Sequence, residues 1–169
     1  MKVLGKQKKI NDKGFTLVEL IVVLVILAIL AAILVPALLG YIDRARGSQL
    51  LLNGKSILTA AQAECSNLYG VAESTETIDT YLAGTDSATY LQRIADTADT
   101  PGTAYFNLKA AAATPSSSNH NAWTVNEVWY VEGTEAVHFN GKTWIEGLKS
   151  SDAASATASG FYAVPAATK

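Results

Sequence analysis

The chain has a single cysteine, Cys65, in 169 residues, so no internal disulfide is possible even if the protein works in an oxidising compartment. Histidine is nearly as scarce: His120 falls in a Ser/Asn-rich loop and His138 in an alternating strand. With Cys65 far away in a helix, they offer no zinc-ligand spacing and no nucleophile–base pair, and both read as surface or core side chains. The acidic residues Glu73, Glu76, Asp79, Asp86, Asp96 and Asp99 are spaced too loosely for an EF-hand loop and read as a solvated face. No Asn-x-Ser/Thr sequon occurs, so a glycan would have to be O-linked on the serine-rich segments. The expectation is a non-enzyme, with no catalytic residues, no cofactor and no metal site.

One stretch lacks polar side chains altogether. From Leu20 to Leu39 every residue is apolar or small, and at about 1.5 Å per residue such a helix spans roughly 30 Å, the thickness of a bilayer core. An ordinary secretory signal has a shorter apolar core ending in a small-x-small cleavage site, whereas this run passes through Pro36 into Leu38 and Leu39. Charge is divided around it. Met1 to Gly14 holds five lysines against Asp12, a net of +4, so the whole-chain value of −2 leaves −6 in the remaining residues. The basic leader is expected in the cytoplasm and everything after Leu39 outside. The acidic remainder is a poor electrostatic match for nucleic acid, and no general nucleic-acid binding is expected. Glu19 interrupts the pattern one turn into the helix, where a carboxylate in lipid is costly unless it has a partner and a task.

The basic leader, then Gly14, Phe15-Thr16-Leu17-Val18-Glu19 and an apolar helix containing Pro36 together resemble the class III signal of type IV prepilins and type II secretion pseudopilins. The resemblance implies that prepilin peptidase cuts the Gly14–Phe15 bond and methylates the new N-terminus at Phe15. It implies further that the Glu19 carboxylate pairs with a neighbouring subunit's N-terminus during assembly, and that the helix unwinds between Ala28 and Pro36 in the fibre. It covers about the first quarter of the chain. Many Gram-negative pilins staple the C-terminal region with a cysteine pair; this chain departs from that pattern.

The rest reads as one small domain hung on the helix, since 155 residues would remain after the cut, enough for a single compact core. Leu50, Gly54, Ile57, Leu58, Ala61, Cys65 and Leu68 recur at steps of three and four, a stripe to be covered by the remaining chain. Pro36, Gly40, Gly47 and Gly54 lower helix propensity and mark places for bending, and Gly70 suits a left-handed cap that would end the helix at Tyr69. Two short helices are expected next, one capped by Ser74 or Thr75 and presenting Ile78 and Leu82, the other starting at Asp86 or Ser87 and presenting Tyr90, Leu91 and Ile94. Alternation then predicts strands over Ala104 to Leu108, Trp123 to Glu132, Ala136 to Phe139 and Lys142 to Ile145, with Asn140-Gly141 in a type I′ turn. Ala110 to Asn121 reads as a flexible loop. Ser150 to Gly160 reads as a mobile tail tethered by Phe161, Tyr162 and Val164. Trp123, Trp129, Tyr130 and Trp144 read as sheet core and cross-strand packing rather than an adhesive patch.

The expected fold is α+β, a long N-terminal helical spine packed against a small antiparallel sheet, pilin-like. Its divisions are a leader over 1–14, a membrane and assembly half of the helix over 15–42, an amphipathic half over 43–70, a connecting segment with short helices over 71–121, and sheet with tail over 122–169. The expected function is that of a structural subunit of an extracellular type IV pilus. Its partners would be copies of itself, prepilin peptidase, the inner-membrane assembly machinery and, before assembly, membrane lipid. The alternatives are a pseudopilin in an envelope piston and a membrane-anchored binding or adhesion domain that never polymerises. The precursor would cross the cytoplasmic membrane once and then reach the cell surface.

Overall fold

A computed structural model of the chain describes residues 14–109, 114–115, 119–157 and 160–168. The leader Met1 to Lys13 and most of the Ala110 to Asn121 loop lie outside the described residues. The chain divides into two compact units, the first ending at Asp43 and the second beginning at Arg44. The architecture is α+β: one long apolar helix and a five-stranded antiparallel sheet, a pilin-like arrangement.

Helix α1 spans Leu17–Val71. It continues without interruption through Pro36, Gly40, Gly47 and Gly54, although Pro36 removes one i→i−4 hydrogen bond. In the first unit its apolar side chains from Leu20 to Leu39 are all exposed. The helix ends later than Gly70 suggested. The Ala72 N–H still bonds the Leu68 carbonyl at 2.9 Å, and Gly70 is helical rather than left-handed.

Within the second unit α1 buries Leu50, Asn53, Gly54, Ile57, Ala60, Ala61, Glu64, Cys65 and Leu68. This is the stripe read from the three-and-four spacing, widened by Asn53, Ala60 and Glu64 and with Leu58 half-buried at its edge. Glycine permits close approach at Gly54 and Gly102, among other positions. A Cβ on Gly54 would lie 2.8 Å from the Trp144 ring and 3.0 Å from Val137, and one on Gly102 would lie 2.3 Å from the Val131 carbonyl. Gly54 is therefore a packing residue as well as a weak point in the helix.

Helix α2, Ile78–Leu82, buries both predicted residues, with Thr77 rather than Ser74 or Thr75 at its N-cap. Helix α3, Ser87–Ala98, starts after Asp86 and ends on Asp99 in the left-handed conformation. It buries Ile94 and Ala95.

The strands are β1 Thr103–Leu108, β2 Val125–Glu132, β3 Glu135–Phe139, β4 Trp144–Lys149 and β5 Tyr162–Val164, in the order β4-β3-β2-β1-β5. Ala104, Phe106 and Leu108 alternate inward as the period-2 pattern predicts. Trp123 departs from its expected strand and closes a 3-10 turn, His120–Trp123. It is buried and edge-on to Tyr69, ring centroids 5.6 Å apart, a position the aromatic-rich run did not distinguish from a strand start. The β3–β4 turn also differs from expectation. A type I′ turn needs positive φ at both central residues; here Gly141 alone has it, at 83°, while the Asn140 N–H bonds the Thr143 carbonyl at 3.2 Å. Glycine thus stands first in the loop, and the Asn140 carboxamide oxygen accepts from the N–H groups of Lys142 and Thr143.

The inner face of the sheet covers α1 through Phe106, Val128, Tyr130, Val137 and Val164. Each large apolar side chain so buried contributes about 1.5 to 3 kcal/mol. The outer face carries a second cluster, Trp129 and Ala136 against Ala153 and Ala156. The alanines lie on a 3-10 helix, Ser150–Thr157, so this part of the presumed mobile tail is a packed element. Residues three apart eclipse on such a helix, which puts Ala153 and Ala156 on the same side of it. Beyond it β5 pairs with β1, as Tyr162 and Val164 suggested.

Candidate processing and assembly site

The sequence singled out Gly14, Phe15, Glu19 and Pro36. Gly14 to Thr16 precede the helix in non-helical backbone, and Phe15 is 90% exposed. The Gly14–Phe15 bond thus lies ahead of the first helical residue, outside regular secondary structure. Thr16 is the last residue before α1, and Glu19 is the third inside it.

These two side chains close on each other. The Glu19 Oε2 atom accepts from the Thr16 backbone N–H at 2.9 Å and from the Thr16 hydroxyl at 2.7 Å. In return the Glu19 N–H donates to Thr16 Oγ1 at 3.3 Å. This is a capping box, which satisfies two of the backbone donors that every helix start leaves open. Thr16 was missed as a site residue in the sequence. The signal was present, since Thr-x-x-Glu ahead of an apolar run is the sequence form of the box. Glu19 consequently has a partner within its own chain, besides any that assembly supplies.

Pro36 is not brought to this place. It lies 17 residues beyond Glu19 on α1, about 25 Å along the axis. Apolar side chains, Val18, Leu20, Val22 and Val23 among them, surround Phe15 and Glu19 on an open surface.

Residues 9–35 match the family model described as the prokaryotic N-terminal methylation motif. The chain carries that motif. The segment is therefore a class III signal of the type found in type IV pilins and pseudopilins, and it supports a pilin-like or pseudopilin-like precursor. Such a signal implies processing by a prepilin peptidase and a membrane-anchored precursor. No solved structure matches the chain.

Other residues considered as sites are occupied by packing. Cys65 is fully buried, and burial, with a smaller contribution from the Glu64 charge, pushes its thiol up to about 12. His138 stacks flat on Trp129 with centroids 4.1 Å apart, its Nε2 atom 3.4 Å from Glu127. Of the acidic residues read as solvated, Glu76 accepts from the Tyr81 hydroxyl and Asp79 from the Tyr162 hydroxyl. Asp96 accepts from Gln92 and Thr168. Among the described residues no cluster of three histidine, cysteine or carboxylate side chains is placed to hold a metal.

Proposed function

We propose that this chain is the structural subunit of an extracellular type IV pilus, inserted as a precursor, cut between Gly14 and Phe15, methylated at Phe15 and polymerised through α1. The observation that carries this reading is an apolar helix from Leu20 to Leu39 with no protein cover, opened by a hydrogen-bonded carboxylate, within a methylation motif. A structural role also accounts for a second unit whose polar groups serve packing.

The energetics fit two stages. In a bilayer the apolar helix is solvated by lipid, and exchanging lipid for neighbouring helices changes little, because acyl chains are as apolar as leucine. Once the subunit leaves the membrane, water is the alternative, and about 1.5 to 3 kcal/mol per large side chain holds the helix in the fibre. Apolar contact of this kind does not fix register. Cleavage would create an ammonium at Phe15, and Glu19 would exchange its Thr16 contacts for the ammonium of a neighbouring copy, so that one charge pair sets the axial step. Pro36, lacking an N–H, would be where the helix yields, over Ala28 to Pro36, as subunits pack.

Intact mass of the chain recovered from membranes, with electron microscopy of sheared cells, tests the reading. The expected result is loss of Met1 to Gly14, gain of one methyl group and filaments containing the chain. A mature start after Leu30 would overturn the processing reading, while a processed chain that never appears in filaments would favour an envelope pseudopilus.

A further inference from the structure

The second unit contains a cavity of about 370 Å³ between the first turns of its helix and the β2–β3 turn, lined by Arg46, Gln49, Glu132, Thr134 and Glu135. Its charges are of both signs. Glu132 and Glu135 are direct cross-strand partners, an arrangement in which two carboxylates destabilise each other unless a cation lies between them. Glu132 is held in place, its Oε2 atom accepting from the Tyr130 hydroxyl at 2.8 Å and from the Asn53 amide at 3.0 Å. Glu135 is exposed. Arg46 stands seven residues after Leu39, the last of the apolar run, and basic side chains so soon after a membrane span serve as anchors at the lipid–water interface.

We propose that this cavity binds the headgroup of a phospholipid carrying both a phosphate and a primary ammonium, Arg46 taking the phosphate and the Glu132–Glu135 pair the ammonium. A purely anionic headgroup would meet two carboxylates, and a free amine would meet Arg46. A zwitterion satisfies both. A guanidinium suits phosphate oxygens through paired N–H donors, and a primary ammonium donates to carboxylates where a quaternary one cannot. The site holds the unassembled subunit at the membrane surface and is vacated when the subunit leaves the bilayer. It presumes that Leu20 to Leu39 spans the membrane, and is independent of cleavage or fibre formation.

The test is native mass spectrometry of the full chain in detergent, supplied in turn with phosphatidylethanolamine, phosphatidylcholine and phosphatidylglycerol. One phosphatidylethanolamine should be retained in preference to either other lipid. Glu135→Gln should reduce that retention by about threefold, the scale of one exposed ion pair, and improve retention of phosphatidylglycerol. Arg46→Gln should weaken both. Equal retention of the three lipids, indifference to Glu135→Gln, or dimers in place of lipid adducts would overturn the proposal. Unchanged protection of Cys65 checks the fold of each variant. Fractionation of the same cells separates the readings: a chain absent from membranes refutes the membrane span, whereas a membrane-resident chain without lipid preference refutes only this site.

Discussion

The two units of this chain reach a defined structure by opposite means. In the second, beginning at Arg44, side chains distant in sequence bury one another: Ile57, Ile78, Phe106 and Val128 are wholly inaccessible. In the first, Leu20 to Leu39 bury nothing, and the structure is local, a helix started by two side chains three residues apart. A helix apolar all round is complete only when lipid or protein surrounds it. The first unit is therefore specified for its environment and the second for itself, so a substitution in the first should change where the chain goes, and one in the second should change whether it folds.

The largest effects should come from two positions in the first unit. Gly14→Val places a β-branched side chain at the proposed scissile bond, and cells should accumulate only precursor by intact mass. Normal trimming of that variant would count against the cleavage position. Glu19→Ala should leave insertion and cleavage intact and abolish filaments in sheared material, because the Phe15 ammonium of each neighbour loses its counter-charge. Thr16→Ala divides the two roles of that carboxylate: it removes both bonds made by the Thr16 hydroxyl yet keeps Glu19 available to a neighbour, so filaments should form, in reduced yield. Wild-type filaments from Glu19→Ala would show that register is set elsewhere on the helix.

The second unit should respond in folding instead. Gly54→Val forces a branched side chain against Trp144 and Val137 and should destabilise a soluble fragment beginning at Arg44 by about 1 to 3 kcal/mol in urea unfolding. Gly47 has nothing within 4 Å of an added Cβ, so Gly47→Ala should stabilise the same fragment, by up to about 1 kcal/mol. If both changes shifted stability alike, the close contact at Gly54 would not be a determinant of the head. Cys65 should be alkylated slowly in the folded fragment and quickly in denaturant, since its thiol is buried and pushed up to about 12 by desolvation.

What could be read from the sequence follows the same division. The three-and-four spacing located the buried side of α1, and the period of two located β1, because each pattern follows directly from which face is covered. The Ser150–Thr157 helix escaped, because Ser and Ala carry little periodic signal and its alanines are buried by side chains distant in sequence, Trp129 and Ala136 among them. The Gly70 cap failed because glycine permits a left-handed conformation without requiring one. The type I′ turn failed at Asn140, since only Gly141 of the pair has positive φ. At the N-terminus the carboxylate was conspicuous as an exception in an apolar run, while its partner Thr16 was passed over because threonine at a helix start is ordinary.

The smallest expected effect concerns Thr168, which a polar contact ties back to Asp96, 72 residues earlier in the chain. Asp96 Oδ1 accepts from Gln92 Nε2 at 2.8 Å, from the Thr168 hydroxyl at 3.0 Å and from the Thr168 N–H at 3.1 Å. These bonds, Gln92's foremost and the Thr168 N–H next, hold the Asp96 carboxyl below its ordinary value. A depressed folded value means that the stabilisation is complete above the unfolded value, about 3.9, and disappears as pH falls through the folded one. Nothing should therefore change between pH 8 and 5, and the tail should loosen only in stronger acid. Because Asp96 is exposed, melting of the whole unit should hardly respond. The sensitive measurement is amide exchange at Thr168. In Asp96→Ala it should be faster than in wild type at neutral pH, and the difference should close in acid as the wild-type carboxyl protonates. Equal exchange at every pH would show that β5 pairing and the Ala167 N–H bond to the Thr100 carbonyl hold the tail without Asp96. A fall in melting temperature as large as that of Gly54→Val would instead mean that the head hangs on a single polar contact, and the contrast between a self-sufficient unit and a dependent one would fail.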